Sequence, residues 1–395
     1  MARVDRGGLG GRPGAVAVER EAARLDGALV ALRRDLHAHP ELSGQERRTA
    51  GVVAARLRAA GLDVTTGVGG HGVVGVLTGA RPGRTVAYRA DMDAVGPDDG
   101  AGGATGPAHL CGHDIHTTIG VGIAEVLTRL RERLSGRVVF LFQPAEESLT
   151  GAAAMIADGV LAATRPSEIH ALHCGPFRVG RFATIAGVGL PGQDKGQILL
   201  AGADAPARAE RLAESINGMS SVRRPTGPAD LEQLLADLQT PGGPLARFVF
   251  VQARADGATV RVSSRCWPEH RYADVRAEIR RRARSVGPAT VDFSADPFPA
   301  MHTPQREGRA LERHLRRTLG TEQVVPLHAA IPFSGEDYAH FLNRMPGTYT
   351  FLGVRAPNAG IETGYPHLAT FQPDESAIGH GVRAMSGWLL TRTRS

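Results

Sequence analysis

The sequence predicts an α/β protein of two domains, one of them inserted into the other. Three observations lead to this prediction. Strand-like and helix-like apolar patterns alternate along the first part of the chain. The middle part changes to the order β-α-β-β-α-β, which is typical of a small α+β sandwich with one helical face. The alternating pattern then returns, and 395 residues exceed the usual size of a single core.

The domain boundaries follow from the same changes in pattern. Residues 1–17 are rich in Gly and Arg and show no apolar face, so they predict a disordered tail. A Gly- and Pro-rich hinge at 187–196 marks the beginning of the insertion. We therefore expect a larger domain formed by residues 18–192 and 304–395, and a smaller domain formed by residues 193–303.

The larger domain begins with two helical patterns, and Ser43 stands between them as a possible N-cap of the second. Of the two strands that follow, the second leads into the carboxylates of Asp91 and Asp93. Open α/β sheets place their chemistry at this end of a strand. The elements expected in chain order are helices 19–36 and 46–60, strands 73–77 and 85–89, helix 117–134, strand 137–142, helix 151–158 and strand 168–173, and after the insertion helix 309–319, strand 348–353 and helix 374–390.

The inserted domain contains two strand-like runs joined by the turn Ala255-Asp256-Gly257, which predicts a hairpin. A strand and helices precede this hairpin, and a helix and a strand follow it. The expected elements are strand 197–201, helices 205–218 and 229–238, strands 247–254 and 259–265, helix 273–285 and strand 289–294.

One short segment, His109 to His116, carries most of the candidate ligands. It reads His-Leu-Cys-Gly-His-Asp-Ile-His, and this mixture of donors suits a first-row divalent metal such as Zn, Mn, Co or Ni. Cys111 and His113 point the same way only if the backbone between them is extended, and Gly112 permits close approach of the loop to an ion. His116 falls in the first turn of the next helix as a structural residue.

Two adjacent carboxylates, Glu146 and Glu147, follow the apolar strand at 137–142. Metal-assisted hydrolysis needs such a pair, because one carboxylate can hold the ion while the other handles the proton of the attacking water. A single His or Cys is more often a packing residue, and a lone Glu pair is more often a solvated loop. The two segments together indicate a metal-dependent hydrolase.

Composition excludes several other classes of protein. The cysteines Cys111, Cys174 and Cys266 are too few and too scattered for a disulfide framework. The net charge of +6 comes almost wholly from arginine, and no aromatic stacking platform accompanies it, so we expect no nucleic-acid partner. No apolar run approaches the length of a membrane span, and we expect a cytoplasmic protein without membrane contact.

The chain resembles the metal-dependent amidohydrolases that include hippurate hydrolase, N-acyl-amino-acid amidohydrolases and auxin-conjugate hydrolases, relatives of the aminoacylases. Several motifs carry the resemblance in one order along the chain. They are Leu36-His37-Ala38-His39-Pro40-Glu41-Leu42-Ser43, Arg89-Ala90-Asp91-Met92-Asp93-Ala94, His109 to His116, Phe142-Gln143-Pro144-Ala145-Glu146-Glu147, Leu172-His173, Ser334-Gly335-Glu336-Asp337-Tyr338 and Phe351-Leu352-Gly353. The resemblance implies a zinc-peptidase-like catalytic domain, a mixed sheet flanked by helices, with an inserted α+β lid through which two copies can form a homodimer.

The resemblance also implies the roles of the site residues. Glu146 is the general base, and Asp93 supports the site. The His367 motif differs from the family pattern in the residues that lead to Phe371. One or two divalent ions, such as Zn or Mn, are implied, with the ligands Cys111, His113, Glu147, His173 and His367.

The lid departs from the family pattern. Relatives carry a Gly-Gly-His-Ala segment whose His reaches the active site of the partner subunit, whereas residues 202–206 here contain no His. Relatives also carry Asn-Val-Ile-Pro between two lid strands, and residues 252–257 do not match it. Arg265 takes the place of a lid arginine and can bind a substrate carboxylate, although a solvent-facing strand arginine is an equal alternative.

The expected activity is hydrolysis of the amide bond of an N-acyl amino acid or a similar small conjugate. The altered lid favours an unusual substrate, such as a specialised biosynthetic intermediate. Two alternatives stay open at this point. One is acyl transfer or amide formation on the same metal platform, and the other is a catalytically silent relative that binds a small ligand.

Overall fold

Two β-sheets organise the chain, and they come from different parts of the sequence. The computed structural model describes residues 13–97 and 106–394. The helices are α1 Pro13–Ala23, α2 Asp26–His37, α3 Arg47–Ala59, α4 His113–Arg129, α5 Gly151–Ala157, α6 Val160–Thr164, α7 Ala205–Asn217, α8 Pro228–Leu238, α9 Tyr272–Ser285, α10 Gln305–Leu319, α11 Ala339–Leu342 and α12 Ser376–Arg392. The strands are β1 Asp63–Val68, β2 Gly72–Thr78, β3 Arg81–Asp91, β4 Ser135–Gln143, β5 Ile169–Arg178, β6 Phe182–Ile185, β7 Gly189–Leu190, β8 Asp194–Leu200, β9 Phe248–Asp256, β10 Thr259–Trp267, β11 Ala289–Phe293, β12 Met301–His302, β13 Val324–Leu327 and β14 Gly347–Arg355.

The larger sheet has the order β1-β2-β4-β3-β5-β14-β6-β13. Its four central strands, β4, β3, β5 and β14, run parallel to one another, so their carboxyl ends meet at one edge. Apolar side chains of α1 to α4, α10 and α12 form a core on one face. Those of α5, α8 and α11 contribute to a second core on the other face. The predicted α/β architecture, a mixed sheet flanked by helices, is confirmed.

The smaller sheet has the order β11-β8-β10-β9, with every neighbouring pair antiparallel. Helices α7 and α9 pack on one face, where Leu212 and Ile279 meet Val260 in a separate apolar cluster. A two-stranded sheet of β7 and β12 lies where the chain passes between the two parts.

The outer edge of β9 is closed by side chains that follow from the end of α7. Ser221 Oγ accepts a hydrogen bond from Val249 N at 2.9 Å, and Ser220 Oγ accepts one from Val251 N at 2.9 Å. Asn217 accepts from Ala253 N at 2.7 Å and donates to Ala253 O at 3.0 Å. These side chains take the hydrogen bonds that a neighbouring strand would make, so this edge resembles one that is already paired.

Several sequence-based expectations need correction. The disordered tail expected for residues 1–17 is wrong from Pro13 onward, because α1 begins there and Val18 packs in the core with 3% exposure; residues 1–12 lie outside the described residues. The single helix expected at 19–36 is broken between α1 and α2. Ser43 caps no helix, since α3 begins only at Arg47. Strands β1, β6, β7, β12 and β13 were not expected.

The loop between β3 and α4 also differs from expectation. Helix α4 begins at His113 rather than at residue 117, so His113 and His116 both occupy its first turn. The backbone between Cys111 and His113 is not extended, because Gly112 adopts a left-handed conformation with φ of 94°. A Cβ at Gly112 would lie 2.7 Å from Cys174 Sγ. The turn therefore requires glycine, both for its left-handed backbone and for the lack of space for a side chain. Within 13–97 and 106–394, no helix combines the length and apolar character needed to cross a bilayer.

Candidate metal centre

The candidate ligands converge at the carboxyl edge of the parallel strands. Cys111 precedes α4, and His113 is its first residue. Glu147 follows β4, and His173 lies within β5. His367 comes from the segment that leads to α12. The fold therefore brings together five residues that are far apart in the sequence, from Cys111 to His367.

Short distances join these five side chains. Cys111 Sγ lies 3.3 Å from His173 Nε2. Glu147 lies between two imidazoles, with Oε1 3.6 Å from His113 Nε2 and Oε2 3.6 Å from His367 Nε2. Two groups of potential ligands share the thiol: Cys111, His113 and His173 form one, and Cys111, Glu147 and His367 form the other.

The hydrogen bonds around the imidazoles leave one nitrogen of each free to face the centre. His113 Nδ1 lies 2.9 Å from the backbone oxygen of Asp93, and His173 Nδ1 lies 2.7 Å from the backbone oxygen of Cys174. A carbonyl oxygen can only accept, so each Nδ1 must donate and each Nε2 is left for an ion. His113 Nε2 and Glu147 Oε1 are buried and have no hydrogen-bond partner among the described residues.

The electrostatics of the centre also favour a cation. Burial and the carboxylates of Glu147 and Glu146 raise the pKa of the Cys111 thiol well above its usual value. Burial alone would lower the pKa of His113, yet the negative charge of Asp91 and Asp93 raises it to about 10. A thiol, a carboxyl group and three imidazoles crowded in this way are the donors that a first-row divalent metal binds, so the site fits such an ion.

Asp93 holds two of the candidate ligands in place through hydrogen bonds. Its Oδ2 accepts a hydrogen bond from Ser43 Oγ at 2.6 Å and another from Glu147 N at 2.9 Å. Its backbone oxygen and Oδ1 lie 2.9 and 3.3 Å from His113 Nδ1. One residue thus orients two of the candidate ligands.

Two site residues are held in backbone conformations that side chains rarely adopt. Ala145, immediately before Glu146, has φ of 54°, and His367 has φ of 66°. Such conformations cost on the order of 1–3 kcal/mol each, so neighbouring contacts must hold them. Ala145 N donates to Glu46 Oε1 at 2.8 Å, and His367 N donates to Leu110 O at 2.8 Å.

The environment of Glu146 suits a residue that accepts a proton, because no hydrogen bond to another described residue occupies its carboxyl group. Its side chain is buried and forms no hydrogen bond to another described residue, and its Oε2 lies 3.8 Å from His113 Nε2. Burial and the carboxylates of Glu336 and Glu147 raise its pKa well above the usual value. A carboxyl group with a raised pKa is suited to moving a proton near neutral pH.

Sequence reasoning missed a buried charge network beneath the site. Arg89, which is 1% exposed, donates to Asp91 at 2.5 Å, to Glu336 at 2.9 Å and to Asp337 at 3.2 Å. The available signal was a charged residue within the apolar run of β3, because such residues are almost never buried without partners.

His116 lies in the first turn of α4 as a structural residue, as the sequence indicates. Its Nδ1 lies 2.6 Å from Asp91 Oδ1, and its Nε2 accepts the backbone N–H of Cys174 at 2.7 Å. Both nitrogens are therefore engaged, and the second bond fixes the strand beside His173.

A cavity of about 750 Å³ opens beside the centre and is lined by Cys111, Glu146, Glu147, His173 and His367. Arg265 of β10 lines the same cavity, so it does not face solvent from the strand. Its Nη1 donates to Gly192 O at 3.2 Å, and burial lowers its pKa to about 10. None of the described residues forms an ion pair with it.

The segments 202–206 and 252–257, where the family pattern is lost, contribute no described residue to this cavity.

Comparisons with known proteins agree with this geometry. The model of Peptidase family M20/M25/M40 matches residues 87–391. A Synechocystis protein named "Probable hydrolase sll0100" is 32% identical over 91% of this chain and 94% of its own length. The N-acetyldiaminopimelate deacetylase of Bacillus subtilis is 30% identical over 91% of this chain and 97% of its own length. The solved YXEP protein of Bacillus subtilis, described as a dinuclear metal binding peptidase from the M20 family, has a TM-score of 0.71 and 25% identity over 94% of this chain and 99% of its own.

Proposed function

Because the chain belongs to peptidase family M20/M25/M40, and is therefore a hydrolase of amide bonds, we propose that it cleaves an N-acyl amino acid or a similar small conjugate. The products would be a carboxylic acid and an amino acid or amine. The observation that carries this proposal is the position of Glu146, whose carboxyl group lies at the wall of the cavity, 3.8 Å from His113 and grouped with His113 and Glu147.

The residues that would hold metal are Cys111, His113, Glu147, His173 and His367. We propose two divalent ions, because the two ligand groups share Cys111 and because the related YXEP protein is described as dinuclear. A divalent ion here would lower the pKa of water and polarise the carbonyl group of the substrate.

Glu146 would move the proton. Its carboxylate accepts a proton from the attacking water and then passes it to the departing amine, so one residue acts as base and acid in turn. Burial and the neighbouring negative charge of Glu336 and Glu147 raise its pKa well above the usual value, so its carboxylate takes up a proton more readily than an ordinary carboxylate does.

Arg265 would hold the carboxylate of the amino-acid half. Its guanidinium group lies in the cavity without an acidic partner among the described residues, and a guanidinium can bind a carboxylate through two parallel hydrogen bonds. In this arrangement Arg265 would hold the carboxylate while the scissile amide lies at the ligand cluster.

The test is release of free amine from a panel of N-acyl amino acids, with metal-stripped protein compared with protein given Zn, Mn, Co or Ni. The proposal expects release that requires a metal and is lost on addition of a chelator. Absence of release by a folded, metal-loaded protein across acetyl, benzoyl and octanoyl substrates would overturn it.

A further inference from the structure

Helix α8 belongs by sequence to the inserted segment but packs against the larger domain. It lies between α7 and β9 along the chain. Glu232 of α8 pairs with Arg355 of β14 at 2.6 Å, and the backbone oxygen of Leu238 accepts His328 N at 2.8 Å. The helix therefore lies on the larger domain, although the chain on either side of it belongs to the inserted segment.

One face of α8 is a row of leucines. Leu231, Leu234, Leu235 and Leu238 follow the spacing that places side chains on one side of a helix, and all four are at most 7% exposed. The remaining positions include Asp230, Glu232 and Gln233, which are exposed, and Asp237, which is half-buried. The helix is thus amphipathic, with its apolar face directed inward.

The leucine face lines the same cavity as the metal ligands. Phe333, Phe351, Leu190 and Ile331 line it as well, so the cavity has an extended apolar wall. Its volume of about 750 Å³ lies in the range of sites that enclose a whole small molecule. The leucines are packed mostly against other core residues, and the part of each that remains uncovered borders this cavity.

The two halves of an N-acyl amino acid differ in charge. The amino-acid half carries a carboxylate, which the half-buried Arg265 in this cavity can bind. The acyl half is uncharged, and its carbonyl group would lie at the ligand cluster. An apolar wall is therefore suited to the acyl half.

We propose that α8 forms an acyl-binding wall and that the substrates carry a bulky apolar acyl group, an alkyl chain of several carbons or an aromatic ring, in preference to acetyl. This inference rests on the proposed amide hydrolysis, and it names the acyl class that the site selects. Each methylene buried against the wall should strengthen binding about fourfold until the wall is filled.

The test is a binding series with N-acyl glycines from acetyl to decanoyl, measured by calorimetry on metal-loaded Glu146→Gln protein so that no turnover occurs. We expect affinity to rise with acyl length. Leu234→Trp, which places a larger side chain in the cavity, should weaken binding of the octanoyl compound at least tenfold and leave the acetyl compound within twofold.

Two controls distinguish an effect of the acyl wall from a general loss of stability and from selectivity for the amino-acid half. Leu212→Ala removes a buried leucine of α7, outside the cavity, and should leave the chain-length dependence unchanged even if stability falls. A second series varies the amino-acid side chain at constant acetyl. Equal affinity along the acyl series, or a dependence on the amino-acid side chain alone, would overturn the inference.

Hydrolysis by the wild-type protein is measured on the same compounds. A rise in affinity with acyl length and no hydrolysis of any compound would overturn the proposed function while supporting the acyl wall. Hydrolysis of acetyl and octanoyl compounds at equal kcat/KM, with flat binding, would support the function and overturn the acyl wall.

Discussion

His113 Nδ1 donates to the backbone oxygen of Asp93 at 2.9 Å, and this bond determines which nitrogen of His113 faces the ligand cluster. The Asp93 side chain adds a second constraint, since its Oδ2 accepts the backbone N–H of Glu147 at 2.9 Å. The orientation of the centre thus depends on a residue that need not touch an ion.

Asp93→Ala should weaken metal binding by about 10- to 100-fold, because the carboxylate that orients His113 and Glu147 is lost. Competition with a chromophoric chelator measures this change. Ser43→Ala removes only one hydrogen bond to the same carboxylate and should have a smaller effect. Unchanged affinity in Asp93→Ala would show that the ligands are oriented without it.

Arg89→Met should destabilise the protein by about 3–5 kcal/mol, because it leaves buried carboxylates without their cation. Urea denaturation measures the free energy of unfolding. The matched control is Arg383→Met, since Arg383 pairs with Asp26 and Glu19 near the surface, where such pairs contribute about 0–1 kcal/mol. Equal losses in the two variants would contradict this account of the buried network.

Glu168→Gln should reduce stability at neutral pH and lose its effect in acid. Burial opposes ionisation of Glu168, but the His170 and Arg392 side chains outweigh it and lower the pKa to about 2. The unfolded chain has a Glu pKa of about 4.3. The folded pKa is the lower one, so the stabilisation is present above about pH 4.3 and disappears as the pH falls towards 2.

Thermal unfolding of both proteins between pH 7 and pH 3 checks this dependence. The difference in Tm should be constant from pH 7 to about pH 5 and then shrink. A difference that grows on acidification would show that the charged form of Glu168 is not the stabilising one.

The closed edge of β9 bears on the homodimer that the sequence implies. A second copy cannot extend the small sheet through β9 while Asn217, Ser220 and Ser221 occupy its backbone groups. We expect no sheet-to-sheet pairing there, and a homodimer through the lid remains a prediction only for its other surfaces.

The combined variant Asn217→Ala, Ser220→Ala and Ser221→Ala should open this edge and increase self-association, measured by light scattering after size exclusion. Ser285→Ala, which removes an exposed hydroxyl at the end of α9, serves as the control. Retention of the wild-type mass by the triple variant would contradict a protective role for these side chains.

The sequence predicts the elements whose apolar patterns are strong. Strands β2 and β4 are buried along most of their length, and their runs of apolar residues are visible in the sequence. Strand β1 is mostly exposed, with Thr65 and Thr66 at its centre, and so carries no such pattern. The sequence predicts the start of α4 four residues too late, at residue 117 instead of His113, because a left-handed Gly112 leaves no periodic signal.

The candidate site shows the same division. Local motifs identify Cys111, His113, Glu146 and Glu147, since each lies within a few residues of another. Arg89 pairs with Asp91 two positions along the chain, but its partner Glu336 is 247 positions away, and no local pattern encodes that second pairing. The packing of α8 on the larger domain is equally a tertiary contact, so its helix was predicted while its place over the cavity was not.

The measurement that tests the central claim most directly is turnover and metal content of Glu146→Gln. The account predicts unchanged metal stoichiometry and substrate affinity, with kcat lower by about 10²- to 10⁴-fold, because only the proton acceptor is removed. Glu362→Gln, a change in another carboxyl group that lines the cavity, should keep kcat within a few-fold. A Glu146→Gln protein that retains metal and hydrolyses its substrate at near the wild-type rate would contradict the assignment of Glu146 as the base.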